Sequence, residues 1–322
     1  MTLLWTVALV AGIVVAAAAS RRAVGAALVA SAASGLPTAI VGLTVVAVGT
    51  DLPEIANSIS AAIAGQGDLN VGNATGSAMT QVTLVLALLC LATPSLRADR
   101  FTVVAVGAGT VVVLLVDAWF VRDGLLSRPE GAALVTGWIA VVVLMVHFRS
   151  SMLGDEADVT GRMAGDVTGR DRRAAITSGS IAVAWLAVVA VAATVVVGSF
   201  VRITDALGVS PLIASAIVLA LGTSLPELIV DLTAVGRGAV ALAVGELFGS
   251  SLVDSSLALG IGPAIRSTVV SPSATAACLI AGAGVLGATV VAASRQVHRS
   301  SSAVPLLVVY AVATVLLVAT VS

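Results

Sequence analysis

An acidic motif occurs twice in this chain, each time inside an apolar stretch. Ala47-Val-Gly-Thr-Asp-Leu-Pro-Glu54 is repeated 173 residues later as Ala220-Leu-Gly-Thr-Ser-Leu-Pro-Glu227. The same interval relates Gly72-Asn-Ala-Thr-Gly-Ser77 to Gly245-Glu-Leu-Phe-Gly-Ser250. Two separate motifs that share one interval indicate that the chain arose by an internal duplication.

Oxygen-bearing side chains in and just after these motifs stand four residues apart, so the members of each pair share one helix face. The pairs are Thr50 and Glu54, Thr223 and Glu227, Ser77 and Gln81, and Ser250 and Asp254. Hydroxyl, carboxylate and amide oxygens are the hard ligands that calcium prefers, whereas zinc prefers His or Cys, which the motifs lack. Magnesium is a less favoured alternative because it gives up its water reluctantly. The spacing therefore predicts a calcium site shared by the two copies.

The acidic side chains themselves favour a functional site over a structural one. An ionised carboxylate inside a membrane costs several kcal/mol unless it is paired or solvated. The motifs contain no Lys or Arg that could pair with Glu54 or Glu227. Asp231, one turn beyond Glu227, is either at the edge of the site or simply a polar residue on a helix face. Asp117, near the end of an apolar stretch, is expected at the membrane interface.

The composition indicates an integral membrane protein. Hydrophobic residues make up 59% of the chain and charged residues only 10%, whereas about a quarter of a soluble domain is charged. A spanning helix needs about 20 mostly apolar residues. The candidate spans are residues 2–20, 36–64, 69–94, 101–121, 130–148, 174–200, 209–236, 239–264, 271–293 and 303–321. The net charge of −1 and the lack of a basic run give no indication of nucleic-acid binding.

Five spans in each copy turn the second copy upside down relative to the first. We therefore predict an all-α membrane protein of ten transmembrane helices, arranged as two inverted five-helix repeats with broken helices at the ion site. Gly49 and Pro53 mark one break, and Gly222 and Pro226 mark the other, because both residue types weaken the helical hydrogen-bond ladder. Inverted repeats with interrupted helices are typical of secondary transporters.

The arginines and the polar segment 150–173 suggest an orientation. With the N-terminus outside, twelve of the sixteen arginines fall in inner loops and four in outer loops, which follows the positive-inside rule. The expected organisation is a first half at 1–149, a cytoplasmic linker at 150–173 and a second half at 174–322. The protein is expected to be a multi-pass protein of the cell membrane with both termini outside.

These motifs resemble those of the calcium/cation antiporter superfamily, and most closely the prokaryotic type of its sodium/calcium exchanger family. The resemblance covers the signature repeats at 41–87 and 214–260, while the ten-span plan covers the whole chain. It implies a secondary active antiporter that exchanges calcium for sodium by alternating access. Its implied calcium ligands are Glu54, Glu227, Thr50 and Thr223.

The resemblance also implies sodium sites that flank the calcium site and two central polar positions. The implied sodium ligands are Ser77, Ser224, Ser250 and the carbonyl groups of Ala47 and Ala220, and the central positions are Gln81 and Asp254. We expect no tightly bound cofactor. The expected partners are calcium and sodium ions and the lipid bilayer, with no nucleic acid, and we expect the protein to act as a monomer.

Several residues depart from the family pattern and leave the coupling ion open. Asp51 stands where the family usually has Ser, and Glu246 stands opposite Asn73 of the first copy. Extra carboxylates can exchange protons as well as sodium, so Asp51 is a candidate proton site or part of an altered ion site. A calcium/proton antiporter is therefore the main alternative. An intramembrane enzyme and a cation channel that use the same carboxylates are alternatives of other classes.

Overall fold

The computed structural model describes residues 2–94, 96–150, 171–206, 224–295 and 297–321, and these are almost entirely helical. The helices in this part of the chain are α1 Thr2–Ser34, α2 Thr38–Thr50, α3 Leu52–Ala64, α4 Gly67–Ala92, α5 Arg100–Phe120, α6 Arg128–Ser150, α7 Arg172–Ala206, α8 Leu225–Gly236, α9 Val240–Ile265, α10 Ser273–Ala293 and α11 Ala303–Val321. Short 3-10 turns at Val121–Asp123 and Ser300–Ser302 follow α5 and precede α11.

Eight of the described helices are long and apolar enough to cross a membrane, and the bent pair α2 and α3 makes nine. The seventh predicted span, 209–236, lies partly outside the described residues, and α8 is its second portion. The predicted end of the first span at residue 20 is wrong, because α1 continues to Ser34. Ala and Arg are both strong helix formers, and Arg21 and Arg22 are exposed, so these charges do not end the helix.

The predicted break in the second span is confirmed. α2 ends at Thr50, Asp51 adopts a non-helical ψ of 9°, and α3 departs at an angle of 47°. Pro53 lies in the first turn of α3. N–H groups of a first turn have no partner within the helix, so the missing N–H of proline costs no hydrogen bond there. α8 begins in the same way, with Ser224 at a ψ of 13° and Pro226 in its first turn.

Wider π-helical turns occur at matched positions of α4 and α9. They span Gln81–Val85 and Asp254–Ala258, so each begins at one of the two predicted central polar positions. A third such turn lies in α2, at Gly42–Val46. π-Turns inside α-helices are frequent at functional sites. No sequence pattern predicted them here.

Helix α9 packs directly on the backbone of α2 because its motif supplies glycines. A Cβ atom at Gly245 would meet the backbone of Ala39, and one at Gly249 would meet the backbone of Leu43. The contact buries Leu43 together with Leu247, Phe248 and Leu252 of α9 in one hydrophobic cluster. This close approach places the polar residues of α9 beside those at the end of α2.

Two short antiparallel strand pairs join loops at opposite ends of α5 and α10. β1 (Leu96–Arg97) precedes α5 and pairs with β4 (Val297–His298), which follows α10. β2 (Leu125–Leu126) follows α5 and pairs with β3 (Thr268–Val269), which precedes α10. Between the pairs the two helices run antiparallel in close contact.

Candidate functional site

Three buried carboxylates meet at the starts of α3 and α8. Asp51, Glu54 and Glu227 each place an oxygen within 4.8 Å of the others, and none is more than 3% exposed. Oxygens that bind one calcium ion at roughly 2.3–2.6 Å lie at most about 5 Å apart. The carboxylate trio, Asp51, Glu54 and Glu227, therefore has the spacing of ligands to one ion.

The local structure explains why these side chains lie at this point. Glu54 lies in the first turn of α3 and Glu227 in the first turn of α8. The first turn of a helix has unpaired N–H groups and a positive dipole end, which favour a negative charge. Each Leu-Pro-Glu sequence thus starts a helix and puts its glutamate at the end that stabilises a carboxylate.

Hydroxyl groups connect this trio to α9. Ser250 Oγ donates to Asp51 Oδ1 at 2.9 Å. Thr50 Oγ1 lies 2.9 Å from Glu246 Oε1 and 3.3 Å from Ser250 Oγ. Thr50 and Ser250, predicted ion ligands from opposite copies, are therefore brought together, as the matched spacing predicted. Glu246 joins them as a further carboxylate.

The backbone carbonyl of Ala47 faces the same region. It accepts hydrogen bonds from Thr50 Oγ1 at 2.9 Å and from the Asp51 N–H at 3.0 Å. This carbonyl is hydrogen-bonded rather than free in this conformation. Its predicted partners from the second copy, Ala220 and Thr223, lie outside the described residues.

The central polar positions are buried on the π-turns. Asp254 lies beside Gln81, close enough to Asp51 and Glu54 for their charges to act on it. Apart from each other, the Asp254 carboxylate and the Gln81 amide have no hydrogen-bond partner among the described residues. The buried hydroxyl groups of Ser77 and Ser224 likewise have none. These groups supply further oxygens without internal partners.

Sequence reasoning left the position of Asp231 open and did not pair it with Glu246. Both side chains are fully buried, and they lie next to each other across the contact between α8 and α9. Their counterparts 173 residues earlier are Ser58 and Asn73, which carry no charge. This difference between the copies was the one sequence signal that could have pointed to the pair.

Asp117, which is expected at the membrane interface, is buried within the protein. Its side chain is 0% exposed, and it lies near Cys278 of α10. In the described chain neither of its carboxylate oxygens has a hydrogen-bond partner. Just beyond the end of α5, the Arg122 guanidinium stacks 3.2 Å from the Trp119 ring centre. Asp117 faces α10 because that side of α5 is packed.

No described basic side chain balances these acids from inside the protein. Every arginine whose burial is described is exposed, while six acids at the site are buried: Asp51, Glu54, Glu227, Asp231, Glu246 and Asp254. Buried carboxylates must be neutralised by bound cations or by protons. The site is therefore suited to exchange positive ions.

The sodium/calcium exchanger protein family model matches residues 4–147 and, separately, residues 178–321. The chain belongs to this family. The two separate matches agree with the duplication inferred from the motifs.

Relatives extend across most of the chain. CaxA of Alkalimonas amylolytica, which is named as a candidate antiporter, is 32% identical over 73% of this chain and 72% of its own. The inner membrane protein YrbG of Escherichia coli is 31% identical over 84% and 83%. The sodium/calcium exchanger MaX1 of Methanosarcina acetivorans is 25% identical over 70% and 73%.

The fold is also that of a solved exchanger. A structure of the sodium-calcium exchanger NCX_Mj, soaked with 10 mM Na⁺, aligns with a TM-score of 0.77 and covers 98% of this chain and 99% of its own. At 23% identity, this likeness establishes the shared fold.

Proposed function

We propose that this protein is a secondary active antiporter that exchanges calcium for sodium across the cell membrane by alternating access. One observation carries the proposal. Asp51, Glu54 and Glu227 bring three buried carboxylate oxygens within 4.8 Å of one another. Family membership and the multi-span fold supply the context in which such a site transports ions.

Glu54 and Glu227 bind the calcium ion together with Thr50 and Thr223. Two ionised glutamates balance one divalent ion, and the same oxygens can instead hold several monovalent ions. Sodium ions then occupy positions lined by the hydroxyls of Ser77, Ser224 and Ser250, by the Ala47 and Ala220 carbonyl groups, and by the central Gln81 and Asp254. Calcium and sodium are coupled because they compete for one set of ligands. No covalent step is needed, and no resident cofactor takes part.

The chain crosses the membrane ten times as two inverted five-helix halves, 1–149 and 174–322, which the linker 150–173 joins on the cytoplasmic side. The matched starts of α3 and α8 support this arrangement, as do the matched π-turns of α4 and α9. Substrate sites of such proteins lie where the repeats meet. A single chain contains the whole site, so the protein works as a monomer.

Radioactive calcium uptake into proteoliposomes tests the proposal. Purified protein is reconstituted, and uptake is measured under an imposed sodium gradient or an imposed proton gradient. We expect uptake to be driven by sodium. Glu54→Gln and Glu227→Gln should each lower its rate by more than about tenfold, since losing a charge that binds the ion costs more than ~1.4 kcal/mol.

Asp117→Asn is the matched control because it also neutralises a buried membrane carboxylate, but one outside the trio. It should keep uptake within about twofold of the unmodified protein, equivalent to less than ~0.5 kcal/mol. Loss of uptake in all three variants would indicate general damage. Folded protein that moves no calcium under either gradient would contradict the proposal.

Proton coupling is the second candidate, and the acids added at the site favour it. Asp51, Asp231 and Glu246 stand where the other copy has Ser224, Ser58 and Asn73. Each added carboxylate can take up a proton instead of a metal ion. If the proton gradient alone drives calcium uptake and Glu54→Gln still abolishes it, the proposed ion site stands and the coupling ion is the proton.

A further inference from the structure

A second group of buried acids lies beside the carboxylate trio and has no part in the calcium–sodium exchange proposed above. Asp231 of α8 and Glu246 of α9 are both 0% exposed and face each other. Apart from this contact between the two acids, three of their four oxygens, both of Asp231 and Oε2 of Glu246, have no hydrogen-bond partner within the described residues. The fourth, Glu246 Oε1, lies 2.9 Å from Thr50 Oγ1.

The surroundings of this pair are those of a cation site. Ser250 Oγ, which donates to Asp51, also lies 3.5 Å from Glu246 Oε1. Carboxylate and hydroxyl oxygens thus converge without a buried arginine among the residues whose burial is described. The close polar neighbour of Asp231 is Glu246, which is itself an acid. Two carboxyl groups that meet without a cationic partner need a cation or a proton to balance their charge.

The two copies of the duplication differ at this point. In the first copy the equivalent residues are Ser58 and Asn73. Ser58 is used structurally there, since its Oγ accepts a hydrogen bond from the Gly262 N–H at 3.1 Å. The second copy has replaced two neutral residues by acids at positions that meet in space. Two separate changes that meet at one point indicate a role for the pair as a unit.

We infer that Asp231 and Glu246, with the Thr50 hydroxyl, form an additional binding position for a monovalent cation, sodium, next to the trio. The inference rests on the proposed exchange function. A monovalent ion fits better than a second divalent ion, because its repulsion with a calcium ion in the trio is half as large at any given separation. Through Thr50 and Ser250 the position is linked to Asp51, so occupation here is felt at the calcium site.

Equilibrium binding of radioactive sodium to purified protein in detergent, at fixed pH and without calcium, tests the inference. The variant Asp231→Ser/Glu246→Asn introduces the residues of the first copy at both positions. We expect the unmodified protein to bind one more sodium ion per chain than this variant. Sodium-driven calcium transport should show a Hill coefficient for sodium that is lower by up to about one in the variant.

Two further variants guard against trivial results. Glu246→Gln keeps the size of the side chain and removes its charge, so it should lose the same sodium ion if the double variant folds poorly. Asp117→Asn removes a buried acid elsewhere and should bind as many sodium ions as the unmodified protein. Equal sodium counts in the unmodified protein and in folded Asp231→Ser/Glu246→Asn would overturn the inference.

The test also separates this inference from the proposed function. If the protein exchanges calcium for sodium and the variants bind as many sodium ions as the unmodified protein, the proposed function stands and the additional site is ruled out. A variant that keeps its sodium count but changes the pH dependence of transport would show that the pair holds a proton, and would also overturn the inference. Unmodified protein that binds no sodium would contradict both proposals.

Discussion

Asp51 and its counterpart Ser224 precede the two helix starts at the site, yet only one of them carries a charge. Asp51 Oδ1 accepts from Ser250, while Asp51 Oδ2 has no hydrogen-bond partner among the described residues. The free oxygen belongs to a side chain that lies with Glu54 and Glu227 in the trio. Asp51 therefore makes this site more acidic than a pair of glutamates would.

Replacing Asp51 by Ser should alter ion coupling as well as affinity. The variant removes one of three charged ligands and keeps a hydroxyl, so we expect the calcium concentration for half-maximal uptake to rise by about tenfold, or ~1.4 kcal/mol. The pH dependence should become weaker, because one fewer carboxyl group can exchange protons with the ion. Uptake in proteoliposomes across pH 6–9 measures both. Unchanged affinity, stoichiometry and pH dependence would show that Asp51 takes no part in ion binding.

The site residues differ in how far the sequence could identify them. Glu54, Glu227, Ser250 and Asp254 could be found because each motif places oxygens four residues apart on one helix face. The pairing of Asp231 with Glu246 could not be found in that way, since the two residues lie on different helices. Their contact depends on how α8 packs against α9, which no local pattern encodes.

Among the helices, the contact between α2 and α9 depends on residues that have no side chain. Gly245 and Gly249 let the backbones meet at Ala39 and Leu43, and this contact brings Thr50 within reach of Glu246 and Ser250. Close backbone approach through small residues is a common way for membrane helices to associate. The glycines of the motif are thus part of the site although they bind nothing.

Gly245→Ala tests this packing by adding a single methyl group. The new Cβ would meet the Ala39 backbone, which cannot move aside as a flexible side chain could. We expect a loss of about 1–3 kcal/mol, seen as a lower thermal midpoint in detergent. Gly109→Ala in α5 is the control, because a Cβ there meets nothing within 4 Å and alanine favours a helix by about 1 kcal/mol over glycine. A Gly245→Ala variant as stable as this control would contradict the packing argument.

The broken helices could be predicted, whereas the π-turns could not. Pro53 and Pro226 cannot donate the hydrogen bonds that a continuous helix needs, so the sequence itself marks both breaks. A π-turn needs only one residue more than an α-helical turn. No residue type is specific to it, and it arises where packing favours a wider turn. The sequence therefore predicts ordinary helix at Gln81 and Asp254.

Across the whole molecule, acids and arginines differ in burial. Every arginine whose burial is described is exposed. The sequence positions of all sixteen arginines predict an inner side with twelve and an outer side with four. The candidate spans followed from hydrophobic length alone, because the bilayer requires about 20 apolar residues in each. The two-residue strand pairs could not be predicted, since such short pairings have no repeating pattern.

Labelling from one side tests the orientation of the whole chain. Cys90 and Cys278 are fully buried, so the unmodified protein should react little with a membrane-impermeant maleimide in intact cells. Asp123→Cys, in the loop after α5, should be labelled from outside, and Gly154→Cys, in the linker, should be labelled only after the cells are opened. The reverse pattern would place the termini inside.

The two strand pairs connect the ends of α5 and α10, one pair at each end. Gly107 lies against Thr289 and Leu114 against Gly282 along the contact between these helices. If one helix slid past the other by a full turn, about 5.4 Å, the hydrogen bonds of both strand pairs would have to break. The two strand pairs therefore oppose sliding of these helices, so the proposed alternating access would have to use motion of other helices.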